Sequence, residues 1–280
     1  MKNHTIAVLL IASFFLASAS YADTVLVTGS NRGLGFQFVK QYAERGYTVI
    51  ATSRSPEDDT ELKALAKKHK DIVIEELDVL DAAELKALSA KYKGKPIDIL
   101  INNAGVLGSG SFSKPDSDEF NRVMAVIVFG VLVVSEAFRE NVAVSNQKKI
   151  ISLTSAAGTF DISSLFVNGK MAGLPPKGKE ADPVERDVRV AEGGGFYYGL
   201  SKVAMNLAMQ KIRNEVRGEG IIIGLIAPNA VDTDMLSELG YAGAKTKAAD
   251  AIANFINIID GMTIENAGRP IVQDGTILDW

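Results

Sequence analysis

The apolar positions of the chain fall into short continuous runs that alternate with stretches of helical period. The runs are Thr24–Val27, Tyr47–Ser53, Ile72–Leu77, Ile97–Ile101, Lys149–Ser155 and Ile221–Ala227. They are rich in Val and Ile, and they read as strands buried on both faces of a parallel sheet. Between them lie helical patterns: Phe36, Phe38, Val39, Tyr42 and Ala43, closing near Gly46; Asp59 to His69; Asp81 to Tyr92; and one long helix from Asp116 to Ser145. Asp116 with Glu119 three residues on predicts a variant of the capping box at its start. A further helix runs from Tyr198 through Met205, Leu207, Ala208, Ile212 and Val216. The segment Gly268–Trp280 predicts a last strand and turn. Strand and helix in strict alternation predict an α/β fold, a doubly wound parallel sheet of Rossmann type in a single domain.

Residues 1–22 follow a different pattern. Lys2 and His4 precede an apolar run from Ile6 to Leu16 that is broken by Ser13, and the small residues Ala17 to Ser20 follow. Ser20-Tyr21-Ala22 fits a cleavage site with a mature start at Asp23. The run is short for a membrane span, which needs ~20 residues. Residues 1–22 are therefore expected to be a signal peptide directing the chain to the periplasm or outside the cell. The alternatives are an uncleaved anchor, or a cytoplasmic protein whose start is misplaced. With no twin-Arg pair, the expected route carries unfolded chains.

Composition narrows the chemistry. There is no Cys, which excludes thiol catalysis, Cys-ligated zinc and iron–sulfur clusters. His4 and His69 are the two histidines, too few for a His-based metal site, and no metal is expected. The net charge of -4 argues against nucleic acid as a partner. A small-molecule substrate is expected, with no membrane contact beyond the leader, in a monomer or a homo-oligomer.

The first strand runs into Thr28-Gly29-Ser30-Asn31-Arg32-Gly33-Leu34-Gly35 and then into a helix. A Gly-rich turn between strand and helix lets backbone approach a pyrophosphate at the helix N-terminus. The glycine spacing is G-x-x-x-G-x-G. Further on, Tyr198 and Lys202 stand four apart on a helix and share a face. An ammonium beside a phenol is expected to lower its pKa from about 10, so that Tyr198 exchanges a proton near neutral pH. Tyr241 and Lys245 repeat the spacing in a Gly- and Ala-rich loop with no Ser-bearing strand ahead of them, and are set aside.

Together these motifs resemble the short-chain dehydrogenase/reductase superfamily. The likeness extends over residues 24–280, and the N-R-G-L-G turn with the C-terminal tail looks most like its C-factor and sniffer-like carbonyl reductase branch. The resemblance implies that Gly29 to Gly35 hold the dinucleotide, with Asp78 and Val79 at the adenine. Asn102, Ala104 and Gly105 belong to the N-N-A-G turn, and Pro228, Val231 and Thr233 to the loop that closes over the nicotinamide. It implies Ser155, Tyr198 and Lys202 as catalytic residues: Ser155 at the substrate oxygen, Lys202 also on the nicotinamide ribose. The expected activity is hydride transfer to a carbonyl compound. Ser53 replaces the acid that an NAD enzyme tends to carry after the second strand, and Arg54 follows it. Arg32 and Arg54 suit a 2′-phosphate, so NADP(H) is expected over NAD(H). A non-catalytic dinucleotide-binding or signalling protein on the same fold is the alternative. A sugar-nucleotide epimerase is disfavoured by chain length and glycine spacing.

Three positions depart from the pattern. A Gly-, Pro- and charge-rich insertion at 159–195 separates Ser155 from Tyr198. Asn229 stands where the family has Gly. Ile127 stands where it has an Asn that holds a relay water, which implies a damaged proton relay to Lys202.

Overall fold

The computed structural model describes residues 22–108, 110–159, 166–167, 170–171, 195–238 and 244–279. The leader up to Tyr21, most of the 159–195 insertion and Tyr241 lie outside the described residues. β1 (Thr24–Val27), β2 (Thr48–Ser53), β3 (Ile72–Glu76), β4 (Ile99–Asn102) and β5 (Lys149–Leu153) are each preceded or followed by helix. A short antiparallel hairpin, β6 (Phe166–Val167) and β7 (Lys170–Met171), lies within the insertion. β8 (Ile222–Ala227) and β9 (Pro270–Val272) complete the set. The main sheet has seven strands in the order β3-β2-β1-β4-β5-β8-β9, and every pairing in it is parallel. The order reverses beside β1, which places a crevice at the carboxyl ends of β1 and β4.

Alternation along each strand divides the core into two layers. Leu26, Ile50, Leu100, Ile150 and Ile223 face one side. There they meet Leu85 and Leu88 of α3 (Ala82–Lys91) and Met205 and Met209 of α7 (Phe196–Val216). Val25, Val27, Val49, Ile99, Ile101 and Ile151 face the other side. Their partners are Phe38, Val39 and Tyr42 of α1 (Gly33–Glu44), Leu62 and Leu65 of α2 (Thr60–Lys68), and Phe255, Ile256 and Ile259 of α9 (Ala248–Asp260). Burial on both faces is why these strands read as apolar runs with little alternation. At the opposite end of the sheet from the crevice, Asp23 leads into β1: its carbonyl accepts from Thr48 N at 2.9 Å and its carboxylate from Gln147 Nε2 at 2.8 Å.

The helix expected over Asp116–Ser145 is not continuous. It consists of α4 (Ser117–Met124), a π-helical turn at Ala125–Phe129, α5 (Gly130–Ala137), a break at Phe138 and α6 (Arg139–Ala143). Asp116 caps α4 by accepting from Asp118 N and Glu119 N, both at 3.0 Å. Its own N–H bonds the Tyr197 hydroxyl at 2.6 Å, and Glu119 pairs with Arg122. Ser117–Ala137 is apolar and long enough to cross a membrane by length and composition. Val123, Ile127, Val131 and Val134 turn one face of it into the core.

The π turn carries one more residue than an α turn and re-aims the side chains that follow it. Ile127 sits inside this turn and is 1% exposed, packed in the core layer with Val123, Val131 and Leu100. An Asn there would bury an amide among apolar groups. Ile127→Asn is expected to lower stability by about 1–3 kcal/mol, read as a lower urea midpoint at unchanged m-value.

Candidate active site

The crevice at the strand ends is built first from backbone. Thr28, at the end of β1, accepts from Asn103 N and Ala104 N through Oγ1, both at 3.0 Å, and so joins the ends of β1 and β4. Asn103 Nδ2 donates to Thr28 O at 2.8 Å and to Gly29 O at 2.9 Å. The Gly-rich turn is held to β2 by Ser30 N donating to Thr52 O at 2.8 Å. Gly29 has φ +66°, a conformation that favours glycine. A Cβ on Gly35 would stand 2.1 Å from Gly29 O and 2.5 Å from Asn103 Nδ2, so the turn folds onto its helix only with glycine there. Arg32 precedes α1 in extended conformation and no side chain caps that helix. Its first N–H groups are placed for an anion, so a dinucleotide pyrophosphate fits. A narrow recess beside the turn is lined by Thr28, Val79, Asn102, Ala104, Val126, Gly130 and Val131.

Some of the expected binding residues use their side chains within the fold itself. Asn102 is buried, and its amide donates to Ser135 Oγ at 3.0 Å and Ser152 Oγ at 3.4 Å. Asp78 accepts from Leu80 N at 2.9 Å, closing its own turn. Asn103 was not among the expected binding residues, yet it is the side chain that ties the glycine turn. The signal for it was the second Asn of Asn102-Asn103-Ala104-Gly105. Arg32, 70% exposed, pairs with Asp234 at 3.3 Å, in a short helix α8 (Asp234–Glu238) capped by Thr233 through Leu236 N. A Cβ on Gly33 would lie 3.8 Å from Thr233 Cγ2, so the Pro228–Thr233 loop abuts the glycine turn. Val231 is buried and Arg54 exposed, just beyond the buried Ser53.

At the end of β5, a 3₁₀ turn (Ala156–Gly158) begins at Ser155, whose Oγ accepts from Ala157 N at 3.2 Å. This turn packs on α7, the helix that carries Tyr198 and Lys202. Lys202 is 6% exposed, and its Nζ donates to Leu153 O at 2.6 Å and stands 5.4 Å from the Tyr198 ring centre. Ser155 and Tyr198 share a hydrogen bond. The structure therefore brings Ser155, Tyr198 and Lys202 together on the same edge of the sheet as the glycine turn.

The electrostatics differ from the expectation of a lowered phenol pKa. Burial pushes Tyr198 up to about 12, opposed by the hydrogen bond with Ser155. Burial likewise pushes Lys202 down to about 7, so at neutral pH it is a cation only in part. Desolvation is the largest cause of both shifts. Among the described residues no cluster of three or more His, Asp or Glu could hold a metal.

A parallel Rossmann-type sheet with a glycine turn and a Ser/Tyr/Lys group on one edge defines a dinucleotide-dependent enzyme class, and comparison with known proteins gives the family. The family model for short chain dehydrogenase matches residues 23–167. An uncharacterised oxidoreductase of Schizosaccharomyces pombe is 30% identical over 272 residues, spanning 91% of this chain and 96% of its own. C-signal of Myxococcus xanthus is 28% identical over 186 residues, 66% of this chain and 93% of its own. The chain belongs to the short-chain dehydrogenase family of oxidoreductases. The same fold occurs in the NADPH-bound carbonyl reductase from chicken fatty liver, with TM-score 0.76 and 24% identity over 92% of this chain and 99% of that one. It occurs also in carbonyl reductase Sniffer of D. melanogaster, with TM-score 0.74 and 23% identity over 93% and 100%.

A buried amine at about 7 makes a stability prediction. The unfolded lysine titrates near 10.4, so between pH 7 and that value the unfolded chain binds the extra proton and stability rises with pH. Lys202→Met removes this dependence. Its stability relative to the wild type should be greater at pH 6 than at pH 9 by about 2–3 kcal/mol, measured by urea unfolding at both values.

Proposed function

We propose that this chain is an NADP(H)-dependent reductase that converts a carbonyl compound to an alcohol, with Tyr198 as the proton donor. The convergence of Ser155, Tyr198 and Lys202 beside the glycine turn carries this reading. The bound nicotinamide would supply the hydride. Gly29 to Gly35 would hold its pyrophosphate, with Asp78 and Val79 at its adenine. A phenol held at about 12 is protonated at neutral pH, which suits donation from Tyr198 Oη to the oxygen of the reduced carbonyl. Ser155 Oγ would orient that oxygen. Lys202, near half-protonated at neutral pH, is suited to return a proton to the tyrosinate.

The preference for NADP(H) rests on Ser53, Arg54 and Arg32. Ser53 stands at the end of β2 in place of an acid, and an exposed guanidinium follows at once. Arg32 would exchange Asp234 for the phosphate, a small sacrifice because exposed pairs are weak.

NADPH oxidation by the purified protein with aldehydes, ketones and quinones tests the activity directly; no turnover with any of them, alongside retained NADPH binding, would favour the non-catalytic binder. Tyr198→Phe should lower kcat at least about 100-fold while NADPH affinity stays within about twofold. Normal turnover in that variant would remove Tyr198 from the chemistry. Arg54→Asp should weaken NADPH binding at least about tenfold and NADH binding far less, because the 2′-phosphate loses a cation and meets a like charge. Equal losses for both cofactors would refute the preference.

A further inference from the structure

Asn206 stands on α7 one turn beyond Lys202 and two turns beyond Tyr198, so the three share a helix face. It is fully buried, 0% exposed. Its Nδ2 donates to Gly158 O at 3.0 Å, and its Oδ1 has no hydrogen-bond partner among the described residues. A buried amide satisfied on one side only is a costly choice for a helix core position, where an apolar side chain would pack freely.

The surroundings show what the bond holds. The 3₁₀ turn lies directly on α7. A Cβ on Gly158 would come within 2.8 Å of Lys202 Cβ, 2.9 Å of the Lys202 carbonyl carbon and 3.0 Å of Asn206 Nδ2. A Cβ on Gly199 would come within 3.2 Å of Ala157 O. Two glycines, one on each partner, thus permit backbone-to-helix contact along the stripe Gly199, Lys202, Asn206. The turn itself is one closed unit: Gly158 N donates to Ser155 O at 2.9 Å, Thr159 N to Ala156 O at 3.1 Å and Ala157 N to Ser155 Oγ at 3.2 Å. Displacing Gly158 therefore displaces Ser155.

We propose that Asn206 is a positioning residue: through Gly158 it fixes the Ser155 turn against α7 and so sets the distance from Ser155 to Tyr198. The claim rests on the function proposed above for Ser155 and Tyr198. Asn206 touches neither substrate nor cofactor in this role; it acts through Ser155.

The test uses the full-length protein and two variants. Asn206→Leu removes the donor and keeps a γ-branched side chain at a larger volume, and Asn206→Ala removes it without the risk of overpacking. The first readout is amide hydrogen exchange. Gly158 and Thr159 should exchange at least about tenfold faster in either variant, with Met205 and Met209 unchanged. The second is a cycle with Ser155→Ala, measured as NADPH-dependent turnover. In the wild-type background Asn206→Leu should lower kcat at least about tenfold and leave NADPH affinity within about twofold. In the Ser155→Ala background it should change kcat less than about twofold, because the residue through which it acts is gone. Equal losses in both backgrounds, or unchanged exchange at Gly158 and Thr159, would overturn the proposal. If the wild type reduces no carbonyl compound, the functional reading fails, and the exchange measurement still decides whether Asn206 clamps the turn.

Discussion

The site depends on a hydrogen bond between a buried amine and a strand-end carbonyl. Lys202 Nζ reaches Leu153 O at 2.6 Å, and in doing so pins α7 to the end of β5. A helix amine in a low-dielectric setting needs an acceptor, and an unpaired strand-end carbonyl needs a donor. Each satisfies the other. Tyr198, one turn earlier on α7, is carried into contact with Ser155 at the head of the 3₁₀ turn. The same burial that makes this arrangement rigid also sets its proton chemistry, raising the phenol and lowering the amine. Their values move apart, to about 12 and about 7, so a proton on the Lys202 amine would pass downhill to a Tyr198 phenolate.

On the cofactor side of the edge, the rigidity comes from Thr28 and Asn103. Thr28 Oγ1 collects two N–H groups from the end of β4, while Asn103 returns two bonds to the backbone at Thr28 and Gly29. The glycine turn is thus fixed by its neighbouring strand rather than by its own sequence alone. Across the cleft, the Arg32–Asp234 pair joins that turn to the loop after β8, and both side chains remain largely in solvent. The floor is firm and the rim is loosely tied.

Much of this was legible in the residues. Apolar runs separated by amphipathic stretches read directly as a parallel sheet, because both faces of each strand are covered. Glycines at 29, 33 and 35 and the pair Tyr198 and Lys202 carried the site, since few other side chains can do their work. The π turn at Ala125–Phe129 was not legible: one extra residue in a single turn within a nearly all-apolar segment leaves no mark on hydrophobic period. Which Asn of the pair 102 and 103 ties the glycine turn follows from strand pleat: Asn102 turns into the core and Asn103 toward the turn. The phenol shift was misjudged because spacing reports a neighbour's charge but not the depth at which both groups lie. Asn206 escaped notice for a similar reason, as its significance lies in a contact with a distant turn.

The placement of Asp23 has a consequence for how the molecule can be presented. It sits at the entry to β1, bonded to Thr48 N and Gln147, and all seven strands of the main sheet run from that end toward the crevice. The full length of the sheet separates the two. A surface, carrier or fluorophore coupled ahead of Asp23 would therefore hold the molecule by its base, with the mouth of the cleft pointing away from the attachment.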